Sequence, residues 1–364
     1  MNVLYLDANA SEPLRPEARA ALLAALDLPG NPSSIHGDGR AARRVLEQAR
    51  AQVAARFGSR PRDVVFTSGA TEANAMALHG LGAGRRILAG ATEHPAILRA
   101  MPGIEQLPVQ ADGQLDLAAL EAALASGGPA LVCVMAANNE TGVLHPLEDV
   151  MLLCQRHEAL LHVDAVQAGG RLPVSLAGLG ADSMALSAHK MGGPKGVGAL
   201  LLRPGLDLAA LLPGGGQERG RRGGTEALPA IAGFGAAAEA ADPAQSARIA
   251  TLRDAIEAGV GAAIRVLGAG APRVPNTTCL LLPGTPAETQ VIALDLAGMR
   301  VSAGSACSSG KVAASHVLLA MGLGTTEAAA AIRVSLPWNA PDDAAERFLD
   351  AYAALRARLS RNAA

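Results

Sequence analysis

The sequence predicts an α/β fold, with a large domain built on a mainly parallel sheet covered by helices and a smaller α+β domain after it. Three observations carry this. Short aliphatic runs alternate with amphipathic helical stretches from about residue 40 to 200, the pattern of a parallel sheet buried on both faces. Polar clusters recur just beyond those runs, at Ser68–Glu72, Asn138–Thr141, Asp164–Gln167 and Ser187–Lys190, where ligands bind in open α/β sheets. The chain has 364 residues, half of them apolar, enough for a large core and a smaller partner.

The elements follow in order. Ala41–Phe57 reads as a helix and Val64–Thr67 as a strand, with a helix near Ala73–Leu81 entered through Gly69-Ala70-Thr71-Glu72. Ile87–Ala89, Leu131–Val134, Leu160–Val163 and Met184–Leu186 read as further strands, separated by helices such as Leu115–Leu124 and Leu147–Arg156. Pro213–Gly224 is too rich in glycine and arginine for a core. A long Ala-rich helical region spans Ala227–Ala258. Beyond it, strands at Thr277–Leu282 and Ile332–Leu336 sit beside helices at Glu288–Leu296 and Asp343–Leu359. The expected division is an N-terminal segment (1–14) packing with the small domain, a large domain (15–245) and a small α+β domain (246–364).

Composition narrows the function. A formal net charge of -2 and the absence of a dense Lys/Arg block argue against a nucleic-acid surface. The N-terminus shows no secretory pattern, and the apolar runs are broken before reaching about 18 residues. The expected state is cytoplasmic, with no nucleic-acid and no membrane partner. The four cysteines, Cys133, Cys154, Cys279 and Cys307, form no CxxC pair. Cys133 and Cys279 fall in apolar runs and read as buried thiols. Cys307 stands instead among small polar residues, Ser-Ala-Gly-Ser-Ala before it and Ser-Ser-Gly-Lys after it.

Four constellations carry candidate chemistry. Lys190, just past a strand among glycines and beside His189, suits a Schiff base to an aldehyde cofactor, though surface lysines are common and a Gly/Lys loop can bind any phosphate. It lacks the GxxxxGK[ST] spacing of a nucleotide loop. Asp164 suits a protonated ring nitrogen or, equally, a helix cap. Gln167 lies three residues on, within reach of a ring oxygen. Thr71, at a strand-to-helix turn, suits a phosphate or a simple cap, and Ser187 and His189 offer further donors. His94 precedes a helix and suits either ring stacking or an ordinary loop.

The stretches GNPSSIHGDGRAAR, VVFTSGATEANAMALHG, EHPAIL, ANNETGV, HVDAVQAGGRLPV, SAHKMGGPKGVGAL, GGGQERGRRGGTEALPAIAGFGAA, VSAGSACSSG and IRVSL occur in register along nearly the whole chain. Together they resemble the cysteine desulfurases, within the class V aminotransferase branch of the fold-type I pyridoxal-phosphate enzymes. The resemblance implies pyridoxal 5'-phosphate held by Lys190, with Asp164 and Gln167 at its ring nitrogen and phenolic oxygen and His94 stacked on it. His94 is also a proton carrier by this reading. Thr71, Ser187 and His189 match phosphate ligands, and Thr225 matches one given by the other subunit, which implies a homodimer. Asn31, Asn139 and Arg333 match groups that hold the substrate carboxylate; no metal ligand is implied at this site. Cys307 matches the cysteine that takes sulfur from L-cysteine, leaving alanine and a protein persulfide for an acceptor such as an iron–sulfur scaffold.

The stretch around Cys307 is similar to the subgroup with a short Ser/Gly-rich loop. The pattern departs at Ala8-Asn9, where the family has paired asparagines, at Ala188 and Met191-Gly192 beside the lysine, and at Pro337-Trp338, where Gly-Arg is usual. The last change is expected near the carboxylate site. Competing readings are a selenocysteine lyase, which need not depend on a protein thiol, and a catalytically silent relative.

Overall fold

The computed structural model describes residues 3–304 and 314–363. Its strands, in chain order, are β1 (Leu4–Tyr5), β2 (Val64–Thr67), β3 (Arg86–Gly90), β4 (Ile104–Leu107), β5 (Ala130–Met135), β6 (Leu160–Asp164), β7 (Ser183–Ser187) and β8 (Gly198–Leu202). There follow β9 (Arg265–Leu267), β10 (Thr277–Leu281), β11 (Met299–Arg300), β12 (Ser302–Ala303) and β13 (Ala331–Ser335). The large sheet has the order β2-β8-β7-β6-β5-β3-β4. Its strands run parallel except β8, which is antiparallel to both neighbours.

That exception has a physical cause. Parallel neighbours need a crossover of a dozen or more residues, usually carrying a helix. The turn from Ser187 to Gly198 is too short for one, so the chain doubles back. The sequence pattern hides β8 because Gly-Ala-Leu-Leu-Leu continues a glycine-rich loop, and it hides β4, whose run Ile-Glu-Gln-Leu is half polar.

Side chains alternate along each strand, and both faces are buried. Val64, Phe66, Val132 and Leu161 join one apolar cluster with Leu46, Val53 and Phe234. Val65, Leu131, Cys133 and Leu200 join another with Met76 and Leu78. Beside the first face lie α2 (Gly37–Arg56), the helices Leu117–Ala125 and Leu147–Arg156, and α4 (Leu228–Ala240), which packs against both α2 and α1 (Pro16–Leu26); the second is covered by α3 (Ala70–Leu81). Helix α2 begins before the expected Ala41 because His36 Nδ1 accepts the Gly39 N–H and caps it. The expected helical region across Ala227–Ala258 holds two helices, Leu228–Ala240 and Ser246–Gly259, parted where Pro243 lacks an N–H and Asp242 caps a new turn at Ala244.

The smaller sheet is antiparallel, in the order β12-β13-β10-β9. Leu4 and Leu6 share its core with Leu280, Ile332, Phe348 and Tyr352. Strand β1 pairs with β11, and Asp7 bridges to Ser335. The first described residues thus form a separate two-stranded sheet with β11, touch the small sheet at Ser335, and carry Asn9 from there towards Lys190.

The Gly-rich segment is anchored by a buried ion pair. Arg50 and Glu218 lie 2.7 Å apart with side chains 2 % exposed, and Glu218 also accepts the Phe66 N–H. Glu218→Ala leaves the guanidinium with only the 3.3 Å contact to Glu47 as an ionic partner among the described residues. A loss of about 3–5 kcal/mol is expected, read as a lower midpoint in urea unfolding.

Candidate active site

The carboxyl ends of β2, β3, β5, β6 and β7 open onto one cavity of about 710 Å³, within the usual range for a small-molecule site. Thr71, His94, Asn139, Asp164, Gln167, Ser187, His189, Lys190 and Arg333, separated by up to 262 positions in sequence, all line it.

Lys190 ends a short 3₁₀ turn directly after β7. Its ammonium donates to the carbonyls of Asn9 and Ala10, so the N-terminal segment holds it. Asp164 is the last residue of β6, and a relay fixes it. Val166 N–H donates to Oδ1 at 3.0 Å, and Asn74 Nδ2, on α3, donates to Oδ2 at 2.7 Å. With its amide nitrogen on Asp164, Asn74 presents Oδ1 to His162 Nε2 at 2.9 Å, so that nitrogen carries the proton. Nδ1 then accepts from Ser183 Oγ at 2.8 Å. Burial pushes His162 down to about 3, so the ring stays neutral in this tautomer. The carboxylate cannot swing away from the cavity.

Gln167 is oriented in the same manner. Arg171 donates to its Oε1 at 2.8 Å, so its Nε2 faces Asn9 O at 3.1 Å. Arg171 is itself paired with buried Glu12 at 3.1 Å. His94 caps the short helix Pro95–Leu98, its Nδ1 accepting the Ala96 N–H at 3.0 Å. The neutral ring therefore carries its proton on Nε2. Burial, with Lys190 and His316 nearby, lowers its pKa against the pull of Asp164. Burial similarly pushes His189 down to about 4.

At the other end lies the N-terminus of α3. Among the described residues no side chain caps it, so its first N–H groups are available to an anion. Gly198 lets it approach the sheet: a Cβ there would meet the Gly69 carbonyl carbon at 2.6 Å. Opposite, Arg333 on β13 donates to Asn139 O at 3.0 Å and to Asp7 Oδ1 at 2.6 Å, while its Nε is buried with no hydrogen-bond partner among the described residues. The donor set fits pyridoxal phosphate: an uncapped helix end with hydroxyl and imidazole donors for a phosphate, a fixed carboxylate for a cationic ring nitrogen, an amide donor for a phenolic oxygen, and an amine beside them.

Two expected residues are not brought in. Asn31 is exposed and its Oδ1 accepts the Ser33 N–H at 2.8 Å; Thr225 is also exposed, and neither lines the cavity of its own chain. Cys307 lies outside the described residues. Trp338 does not line the cavity either. Its Nε1 donates to Pro13 O at 2.9 Å and its ring lies under Arg15. The expectation that it borders the carboxylate site is corrected: the tryptophan secures the N-terminal segment. The described cysteines are poor nucleophiles, since burial pushes Cys154 and Cys279 up to about 12 and raises Cys133 well above the usual thiol range.

Sequence reasoning missed Asn74, His162, Asp7 and Glu140. His162 had a signal, since it stands two residues before Asp164 and so shares its strand face. Glu140 is buried, accepts from Ser315 Oγ at 2.5 Å, and is pushed up to about 7 by burial, with the Ser315 hydrogen bond and Arg333 opposing.

A mixed sheet with a lysine at a strand exit, a locked carboxylate and a helix-end anion site defines a member of the aminotransferase class-V family, and that family's model matches residues 4–348. Within it, the chain belongs to the cysteine desulfurases. It is 44 % identical to a cysteine desulfurase of Cereibacter sphaeroides over 353 residues, covering 92 % of this chain and 91 % of the relative. It is 42 % identical to one of Klebsiella pneumoniae, covering 92 % and 88 %. A solved NifS-like protein from Rickettsia africae superposes with a TM-score of 0.90 at 33 % identity, covering 98 % of this chain and 99 % of that one.

Proposed function

We propose that this chain uses pyridoxal 5'-phosphate to remove sulfur from L-cysteine, giving L-alanine and a persulfide on Cys307. The observation that carries the reading is the convergence of Lys190, Asp164, Gln167, His94 and Arg333 on one cavity, in a chain of the desulfurase family. Thr71, Ser187, His189 and the α3 N-terminus would hold the cofactor's phosphate. Asp164 would hold the ring nitrogen and Gln167 the phenolic oxygen, while His94 would take the ring face. Bound there, the cofactor supplies an electrophilic carbon for amines and a ring that withdraws the electron pair left when the substrate Cα–H bond breaks.

The chain's own residues do the rest. Arg333, with Asn139, orients the substrate carboxylate. Lys190 removes the Cα proton, and His94 Nε2–H is the proton carrier on the ring side. The Cys307 thiolate attacks the substrate sulfur: an S–S bond forms, the Cβ–Sγ bond breaks with its electron pair left on the carbon side, and two protons complete alanine. Thiolate is the nucleophilic form, only a few per cent of a free thiol near pKa ~8.5 at neutral pH.

Asn31 and Thr225, exposed on their own chain, are assigned to a homodimer interface, with Thr225 reaching the partner's phosphate. We further assign residues 1–14 and 246–364 to the small domain and 15–245 to the large one. The shared core of Leu4, Leu6, Ile256 and Phe348 supports this division. An iron–sulfur scaffold is the proposed acceptor and the cytoplasm the proposed compartment, in keeping with the unpaired, buried Cys133, Cys154 and Cys279.

The test is to incubate the cofactor-loaded protein with L-cysteine, quantify alanine, and find by peptide mass spectrometry where the extra sulfur sits. Alanine with sulfur on the Cys307 peptide, both lost in Cys307→Ala at an unchanged cofactor spectrum, is expected. Equal alanine release by the variant would mean a direct lyase.

A further inference from the structure

Glu140 belongs to none of the groups assigned above, yet it is 4 % exposed and set at the meeting point of three elements. Its backbone is over-determined: Asn138 Oδ1 accepts from Glu140 N at 2.9 Å and Thr141 N at 3.0 Å, while Asn138 Nδ2 donates to Thr92 O. That turn also carries Asn139, whose carbonyl accepts from Arg333. The Glu140 carboxylate points the other way, to the two ends of the segment 305–313. On the exit side it accepts from Ser315 Oγ at 2.5 Å, and Ser315 in turn caps α5 (His316–Ala320) through Leu318 N. On the entry side Gly304 comes so near that a Cβ would lie 2.9 Å from Glu140 Oε2 and 3.9 Å from Ser315 Cβ. One end is thus bonded to this carboxylate through Ser315, and the other, Gly304, packs against it while its N–H donates to Ala331 O at 3.4 Å. A second tie lies alongside, where His316 Nε2 bonds to the carbonyl of Glu93, the neighbour of His94, at 3.0 Å.

Cys307 is three residues from Gly304, so its Cα can be no more than roughly 11 Å from that anchor. The positions of Gly304 and Ser315 beside Glu140 thus bound how far the thiol can lie from the cavity. We propose that Glu140 is a positioning residue for sulfur transfer, bonding Ser315 and packing against Gly304, the residues that flank the Cys307 segment, next to the turn whose Asn139 carbonyl accepts from Arg333. The proposal rests on Cys307 being the sulfur acceptor.

The hydrogen bond needs an oxygen acceptor and not a charge, which separates it from a role in balancing Arg333. In Glu140→Ala holoenzyme, single-turnover persulfide formation on Cys307 is expected to fall by roughly 10- to 100-fold, the scale of a misplaced reacting group. KM for L-cysteine should stay within about twofold, since the carboxylate-binding groups are untouched. Backbone hydrogen exchange over residues 314–320 should quicken, whatever the turnover. Glu140→Gln, whose amide oxygen still accepts from Ser315, should recover most of the rate. Ser315→Ala breaks the same bond from the other side and should fall with Glu140→Ala, which keeps the test valid if either variant folds poorly. Equal persulfide rates in wild type and Glu140→Ala overturn the proposal, as does a Gln variant as slow as Ala. Absence of persulfide on wild-type Cys307 instead removes the acceptor reading on which it stands.

Discussion

Lys190→Ala is expected to lower alanine formation from L-cysteine by about 10³–10⁴-fold, the upper range for loss of a positioned acid–base group. Lys190 lies on a 3₁₀ turn, half-buried, and its ammonium meets the Asn9 and Ala10 carbonyls at the cavity edge. No apolar core is opened by removing it, so melting temperature should barely move while chemistry is lost. The long-wavelength absorbance of the lysine-bound cofactor should vanish with it. Lys190→Arg is the sharper control. It keeps a cation near those carbonyls but cannot act as base or nucleophile. Recovery of more than about a tenth of wild-type turnover by either variant would remove Lys190 from the role assigned to it.

Asp164→Asn is expected to cost roughly 10²–10³-fold in turnover at saturating cofactor, as for deletion of one preorganised electrostatic group. The substitution is nearly isosteric, and the neighbours that lock the side chain, Val166 N and Asn74 Nδ2, are both donors. They match a carboxylate. An amide would set its own NH2 against one of them, so cofactor affinity should weaken as well. His162→Leu, which cuts the relay one step further back, should cost only about 10-fold, as supporting-shell changes do. The order Asp164→Asn worse than His162→Leu is the informative result. Measuring kcat at full cofactor occupancy separates it from cofactor loss, and a reversed order would mean that His162 acts on the fold and not through Asp164.

Much of this molecule is legible in its amino-acid sequence. Val64–Thr67 and Leu147–Arg156 match their observed bounds, and four other strands of the large sheet lie within a residue of the observed ends. A strand buried on both faces writes itself as an unbroken aliphatic run, and the site residues stand just past those runs. What resists reading is set by space. Strand β8 runs antiparallel because its connection is short, and Trp338 grips Pro13 and not the carboxylate site because the N-terminal segment folds across it.

The sequence by itself determined the fold class and most of the residues brought to one cavity, because periodicity and strand-end placement are local properties of the chain, while its ordered motifs carried the resemblance to the family. Only the tertiary structure decided how those residues are held. Asp164 depends on Asn74 and His162, 90 and 2 positions away, Gln167 on Arg171 and through it on Glu12, and Lys190 on the carbonyls of residues 181 and 180 positions earlier. A hydrogen bond is a matter of ångströms and angles, and separation along the chain carries no information about either until the sheet has closed its neighbours together.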